Sequence, residues 1–440
     1  MQGGIAMDVT IYPHALEGTV EAIASKSMAH RQLILAALCP GITDIDCSSS
    51  SKDIEATVSC LEALGARIAR TKTGFRVRPI PQNAGRLEPT RGATLDCGES
   101  GSTLRFMLPV LCALDCGGSL VGHGRLSERP LEPLYGQLVA HGAQLGPEGS
   151  FPLSCKGPLD AGTFALAGNV SSQFITGLLL ASAIMRDEVE ILVEKPVESL
   201  SYINMTLDAL ASFGIEVSRA DVIRGGRAYW QLIPTGTRGL KAPGQLSVEG
   251  DWSCGAFWLA AGAVGGGGIT VRDLSTQSSQ GDRRMATVLA AMGGRVSRSA
   301  EAVRVEAGKL AGRTIDVSDI PDLSAPIAAV CAYSKGQSQI VGAARLRLKE
   351  SDRIETICAA LGAMGAGIDS DEDSITIDGR DCLTGGQVDA AGDHRIAMMA
   401  AVAAAYASGP TTIHGAECVS KSYPGFFDDF RALGGLAEED

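Results

Sequence analysis

Six times along the chain an apolar residue is followed four positions later by a glycine: Leu61–Gly65, Leu138–Gly142, Leu210–Gly214, Leu289–Gly293, Leu361–Gly365 and Phe430–Gly434. Glycine just past a helix supplies the left-handed residue that stops it. Each copy then runs into an apolar strand start, and the copies lie roughly 70 to 80 residues apart. That spacing is longer than the usual solenoid repeats. A chain of 440 residues built from six such units must find a packing that all six can share.

Each unit also carries an earlier Ala-rich apolar stretch that reads as a helix: Ser27–Leu38, Ser102–Leu114, Ser172–Met185, Trp252–Val264, Ser324–Tyr333 and His394–Tyr406. These are apolar nearly all round, so they belong in an interior rather than on a surface. Strand-like runs follow them, such as 42–47 (ITDIDC), 189–194 (VEILVE) and 268–273 (GITVRD). The unit therefore reads as buried helix, strand, second helix, then one or two strands. Such alternation marks an α/β fold. Three units plus three give two similar domains, with the turn-rich stretch 236–244 as the boundary. One long doubly wound sheet is the alternative, and six near-equal units fit it poorly.

Polar and charged residues gather where the buried helices begin: SKSMAHR, GESGSTLR, NVSSQF, EGDWSCG, IPDLSAP and AGDHRIA. A second set enters the other helices: 124–130 (GRLSERP), 198–202 (ESLSY), 348–353 (LKESDR) and 420–424 (SKSYP). Helix N-termini carry unpaired N–H groups and a partial positive charge, so several directed at one place make an anion site. The segments bring Lys26, Arg31, Arg105, Arg125, Arg129, Lys349, Arg353, Arg395 and Lys421. For any single segment, ordinary N-capping by Ser, Asp or Asn is explanation enough. For the whole set, at equivalent places in six units, a ligand with several negative charges is the better reading.

Other chemistries find little footing. The net charge of −12 argues against a nucleic-acid surface, which needs a basic patch. Residues 1–10 lack the basic start and apolar core of a signal peptide, and stretches such as 397–407 are too short to span a bilayer. The twelve cysteines are scattered without a C-x-x-C pair, as expected of reduced thiols in a cytoplasm. No P-loop or G-x-S-x-G elbow is present, and the six histidines have no ligand spacing, so neither a metal nor a cofactor is expected.

The segments also resemble a known family in order along the whole chain. SKSMAHR (25–31), GESGSTLR (98–105), RLSERP (125–130), SSQF (171–174), IPDLS (320–324), LKESDR (348–353), GDHRIAM (392–398) and SKSYPGF (420–426) are similar to the motifs of enolpyruvylshikimate-phosphate synthases. LKESDR with GDHRIAM downstream is the specific combination. The resemblance implies a two-domain inside-out α/β barrel of six βαβαββ-type units, three per domain, with the active site in the interdomain cleft. It implies domains of 21–242 and of 1–20 with 243–440, because in this family the chain crosses between domains twice.

By the same resemblance, shikimate 3-phosphate would be held by Lys26, Ser27, Arg31, Ser171, Ser172, Gln173, Ser199, Asp322 and Lys349. Phosphoenolpyruvate would meet Lys26, Gly101, Arg125, Gln173, Arg353, Arg395 and Lys421. Both ligands carry phosphate and carboxylate, which guanidinium forks bind bidentately. A glycine at 101 lets backbone approach a ligand closely. The catalytic residues implied are Asp322, Glu350 and Lys26. Asp322, just before a buried helix, can be kept ionised by N–H groups and so act as base. Glu350 enters as proton donor from the resemblance, since its neighbours Lys349 and Arg353 would favour its charged form. The partners expected are small anionic molecules, with no nucleic acid and no membrane, for a monomer.

The chain departs from the family pattern at Glu99 and Ser102 (G-E-S-G-S for G-N-A-G-T), at Phe106 where Pro is common, and at Arg345 where Asn is frequent. These bear on loop geometry and inhibitor response. A sister family that enolpyruvylates a UDP-amino sugar has K-N near its start and a reactive loop Cys, a pattern that Cys97, Cys112 and Cys116 do not match. A non-catalytic anion-binding module would need neither Asp322 nor Glu350. An RNA-terminal phosphate cyclase would want a nucleotide site and a catalytic His, which the acidic balance and lone His394 discourage.

Overall fold

The computed structural model describes residues 7–235 and 239–440. It divides into two compact units, Ala24–Val248 and Met1–Ile23 with Glu249–Asp440. Of the expected boundary at 236–244, residues 236–238 lie outside those described. The described division falls later, after Val248, because Gln245–Ser247 forms a strand parallel to Thr43–Asp46, with Leu246 opposite Ile45. Residues 21–23 stay with the other unit, where Glu17–Glu21 runs parallel to Gly268–Arg272.

Among the described residues six four-stranded sheets repeat one plan. In Ala24–Val248 the strand orders are 245–247/43–46/74–78/67–70, then 93–96/118–121/153–156/144–145, then 162–167/189–194/227–235/216–224. In the other unit they are 17–21/268–272/302–306/295–298, then 314–316/337–341/374–378/367–370, then 386–389/411–414/9–12/436–439. In every sheet the first pair is parallel and the other two are antiparallel. A parallel pair needs a crossover, and in four sheets the buried helix of that unit supplies it directly. The residue pattern missed the strand before the buried helix. Strands such as Thr314–Asp316 are only three residues long and carry no readable alternation.

The N-terminal strands complete sheets whose other members lie hundreds of residues away. Val9–Tyr12 fills the sixth sheet between 411–414 and 436–439, and Glu17–Glu21 opens the fourth. Both strands close sheets of the unit that holds Glu249–Asp440, and Gln245–Ser247 does the same for Ala24–Val248.

The six apolar stretches form helices Lys26–Leu38, Gly101–Leu114, Ser172–Ser182, Trp252–Val264, Ser324–Ala332 and His394–Ala404, almost wholly buried. Close packing sets local sequence here. A Cβ on Gly177 would lie 2.3 Å from the Arg105 carbonyl oxygen, so only glycine lets Ser172–Ser182 approach Gly101–Leu114 this closely. In the other unit Trp258 stacks on Phe426 at 4.7 Å and donates through Nε1 to the Tyr423 hydroxyl at 3.1 Å.

Candidate active site

Five of the buried helices are capped by the polar residue ahead of them: Ser25, Ser100, Ser171, Asp251 and Asp393 each accept a backbone N–H. Capping and cation placement therefore coexist, for Arg31, Arg105 and Arg395 stand within the first two turns of three of these helices and are buried.

In Ala24–Val248, Lys26 Nζ donates to Asp53 Oδ2 at 2.7 Å. Ser27 shares its helical face with Arg31, which donates to the Ser27 carbonyl at 2.5 Å. Arg31 also donates to Thr206 Oγ1 (2.9 Å), Tyr202 O (3.0 Å) and Thr176 Oγ1 (3.3 Å), and lies over the Phe106 ring. Burial pushes its guanidinium down to about 10, which leaves it cationic at neutral pH. Phe106 thus faces the Arg31 guanidinium.

Gln173 joins two motifs. It accepts from Arg105 Nη1 at 2.7 Å and donates to Ser102 Oγ at 2.9 Å. Ser171 caps its helix, accepting from the Gln173 N–H, and Ser172 begins that helix. Ser199 precedes helix Leu200–Ser212 with φ of 54°, a conformation sparsely populated by residues with a Cβ. Gly101 lies against Arg129: an added Cβ would sit 2.5 Å from a guanidinium nitrogen. Arg125, by contrast, is half exposed and pairs with Glu128 at 2.9 Å.

In the other unit Arg353 is a hub, only 1% exposed. Its Nε donates to Asp393 Oδ2 (2.8 Å), Nη1 to Asp322 Oδ1 (2.9 Å) and Nη2 to Glu350 Oε2 (2.5 Å). A guanidinium so buried requires such partners. Burial alone would lower it, but Asp393, Glu350 and Asp322 outweigh that and raise it. Asp322 also takes Arg395 Nη2 on Oδ2 at 3.1 Å, with Lys349 Nζ 3.8 Å from Oδ1. Burial would raise the Asp322 carboxyl, yet Arg395, Lys349 and Arg353 hold it well below the usual carboxylate range. Burial pushes the Lys349 ammonium down to about 8. Lys421 Nζ donates to Gly392 O at 2.7 Å, next to the Asp393 cap. Arg345 donates to Ser318 O at 2.5 Å.

The structure therefore gathers Asp322, Lys349, Glu350, Arg353 and Arg395 into one ion-paired cluster. It gathers Ser102, Arg105 and Gln173 into another, and Ser27, Arg31, Thr176 and Thr206 into a third. It leaves Arg125 out of all three. Sequence reasoning missed the carboxylate role of Asp393, although its place before a buried helix was a visible signal. It also missed Asp53, Thr176 and Thr206, and gave Arg129 no part beyond its charge. Among the described residues no three His, Cys, Asp or Glu side chains gather as a metal site requires.

Such a cluster can hold anions and move protons: fixed cations stand beside a carboxylate kept ionised and another engaged by the Arg353 guanidinium. Known proteins share the arrangement's host fold. A 3-phosphoshikimate 1-carboxyvinyltransferase of Clostridium kluyveri is 40% identical, covering 98% of both chains, and one of Clostridioides difficile is 37% identical over 98% of both. Among solved structures, the EPSP synthase of Acinetobacter baumannii superposes with a TM-score of 0.80 at 26% identity, covering 99% of this chain and 100% of its own. The enolpyruvyl transferase NikO of Streptomyces tendae shares the fold, with a TM-score of 0.77 at 17% identity over 99% of both chains. The family model for EPSP synthase (3-phosphoshikimate 1-carboxyvinyltransferase) matches residues 11–430, and the chain belongs to that family.

Proposed function

We propose that this chain transfers the enolpyruvyl group of phosphoenolpyruvate to the 5-hydroxyl of shikimate 3-phosphate, releasing phosphate, in aromatic amino acid biosynthesis. The observation that carries the reading is the Arg353 hub, which ties Asp322 and Glu350 to one guanidinium at 2.9 and 2.5 Å. Addition across the enol double bond needs one proton delivered to the methylene carbon and one removed from the hydroxyl. Asp322, held ionised, is the base. Glu350 is the donor, and once a substrate anion claims Arg353 its ion pair weakens and its carboxyl can take up a proton. Loss of phosphate with a methyl proton then restores the double bond.

Shikimate 3-phosphate is assigned to Lys26, Ser27, Arg31, Ser171, Ser172, Gln173, Ser199, Asp322 and Lys349. Phosphoenolpyruvate is assigned to Lys26, Gly101, Arg125, Gln173, Arg353, Arg395 and Lys421. Lys26 serves both and also neutralises charge on the reacting phosphate. The placement of Arg129 against Gly101 supports adding it to the second set. Each unit is read as an inside-out α/β barrel, supported by three sheets accompanying three buried helices per unit. A monomer in the cytoplasm that binds no nucleic acid completes the reading, supported by the acidic balance and the unbridged thiols. Among the described residues no helix is long and apolar enough to cross a membrane.

Phosphorus-31 NMR of phosphoenolpyruvate with shikimate 3-phosphate tests the assignment. Inorganic phosphate and one new shikimate-derived phosphomonoester should grow together. Inorganic phosphate without the new ester would overturn it.

A further inference from the structure

Asp282 lies in the turn Gly281–Arg284 and is only 3% exposed. The Ser253 hydroxyl, at the start of helix Trp252–Val264, meets its Oδ2, while Oδ1 is buried with no hydrogen-bond partner among the described residues. A buried carboxylate with an unpartnered oxygen is costly, whereas a neutral carboxylic acid is far less so. The charged groups facing it come from three other elements: Asp322 from the turn Pro321–Leu323, Arg395 from helix His394–Ala404, and Asp251 from the cap of Trp252–Val264. On its own turn, Arg283 is engaged by Thr276 O and Arg284 lies near Asp319. The adjoining helix Met285–Met292 contributes no titratable side chain.

We propose that Asp282 is a positioning residue of this reaction centre: protonated, it leaves Arg395 committed to Asp322 and to the substrate anion, and ionised, it competes for Arg395. The proposal rests on the enolpyruvyl-transfer reading for its kinetic consequence, but the protonation itself does not. Burial, with Asp322 adding like charge, pushes the Asp282 carboxyl up to about 7, only partly offset by Ser253 and Arg395. The device would therefore titrate near neutrality. An acid whose folded pKa is raised binds more protons folded than unfolded between its two pKa values. Stability from this group thus falls as pH rises from the ordinary carboxylate range toward 7, and the full cost persists above.

Asp282→Asn mimics the neutral acid at constant size, so two measurements test the idea. The first is thermal unfolding, which needs no activity: Asp282→Asn should gain several degrees in Tm over wild type at about pH 8.5, and roughly half as much at about pH 5.5. The second is the KM for phosphoenolpyruvate. Lys349 loses its proton over the same range in both proteins, so only the ratio of their profiles reports Asp282. The wild-type to variant KM ratio should rise about fivefold or more between about pH 6 and about pH 9. A pH-independent difference in Tm would overturn the protonation. A Tm effect with a flat KM ratio would overturn the link to Arg395. A wild type inactive with both substrates would instead defeat the functional reading, leaving the Tm comparison to decide the protonation.

Discussion

The Gly101 backbone lies against the Arg129 guanidinium so closely that a single added methyl would fall 2.5 Å from one nitrogen and 2.7 Å from the central carbon. Backbone and cation are thereby placed together at the start of a buried helix, where N–H groups and the guanidinium can serve one anion. The clash involves the far end of a flexible side chain, so the fold should tolerate Gly101→Ala while the cation moves. We predict a Tm within a few degrees of wild type and a KM for phosphoenolpyruvate raised about tenfold. An unchanged KM would show that the contact has no part in binding.

Glu350→Gln keeps size and hydrogen bonding to Arg353 but removes the titrating proton. Substrate binding should stay near wild type while turnover falls by about a hundredfold or more. Incorporation of solvent deuterium into the methylene carbon should disappear with it. Near-normal turnover with normal incorporation would leave Glu350 as a purely positional partner of Arg353.

Lys421 reaches the Gly392 carbonyl at 2.7 Å, one residue from the Asp393 cap that also holds Arg353. Lys421→Ala should raise the KM for phosphoenolpyruvate about tenfold or more, with the dissociation constant of shikimate 3-phosphate much less affected. Wild-type Michaelis constants in the variant would remove Lys421 from the site.

Lys349, lowered to about 8 by burial, is a cation below that pH and neutral above it. Its attraction for an anionic ligand is therefore present at neutrality and lost on the alkaline side. Titration calorimetry should show shikimate 3-phosphate binding weaken about tenfold between about pH 7 and about pH 9.5. Lys349→Arg, which stays charged, should flatten the loss. Equal slopes in both proteins would point to another group.

Much of this was legible in the chain itself. Helix stops at Gly65 or Gly293 and apolar runs such as 252–264 have local causes, so six units and their buried helices could be read directly. The pairing of Val9–Tyr12 with 411–414 and 436–439 could not, because nothing local distinguishes a strand that completes a distant sheet. The site divides the same way. LKESDR announces Glu350 and Arg353 as neighbours in sequence. The bond from Arg353 to Asp393, and the approach of Asp282 to Asp322, each join residues forty positions apart and exist only through packing. Arg125 shows the reverse: a motif position pointing to a ligand, with a half-exposed side chain paired locally to Glu128.

In an enolpyruvyl transfer to shikimate 3-phosphate, phosphate should leave phosphoenolpyruvate only as its enolpyruvyl group is delivered to that acceptor. Initial rates of phosphate release should be measured with no acceptor, with shikimate 3-phosphate, and with a UDP-amino sugar. Rapid, saturable release is expected with shikimate 3-phosphate, and background rates in the other two. Release of equal speed without an acceptor, or with the UDP-amino sugar alone, would contradict that transfer.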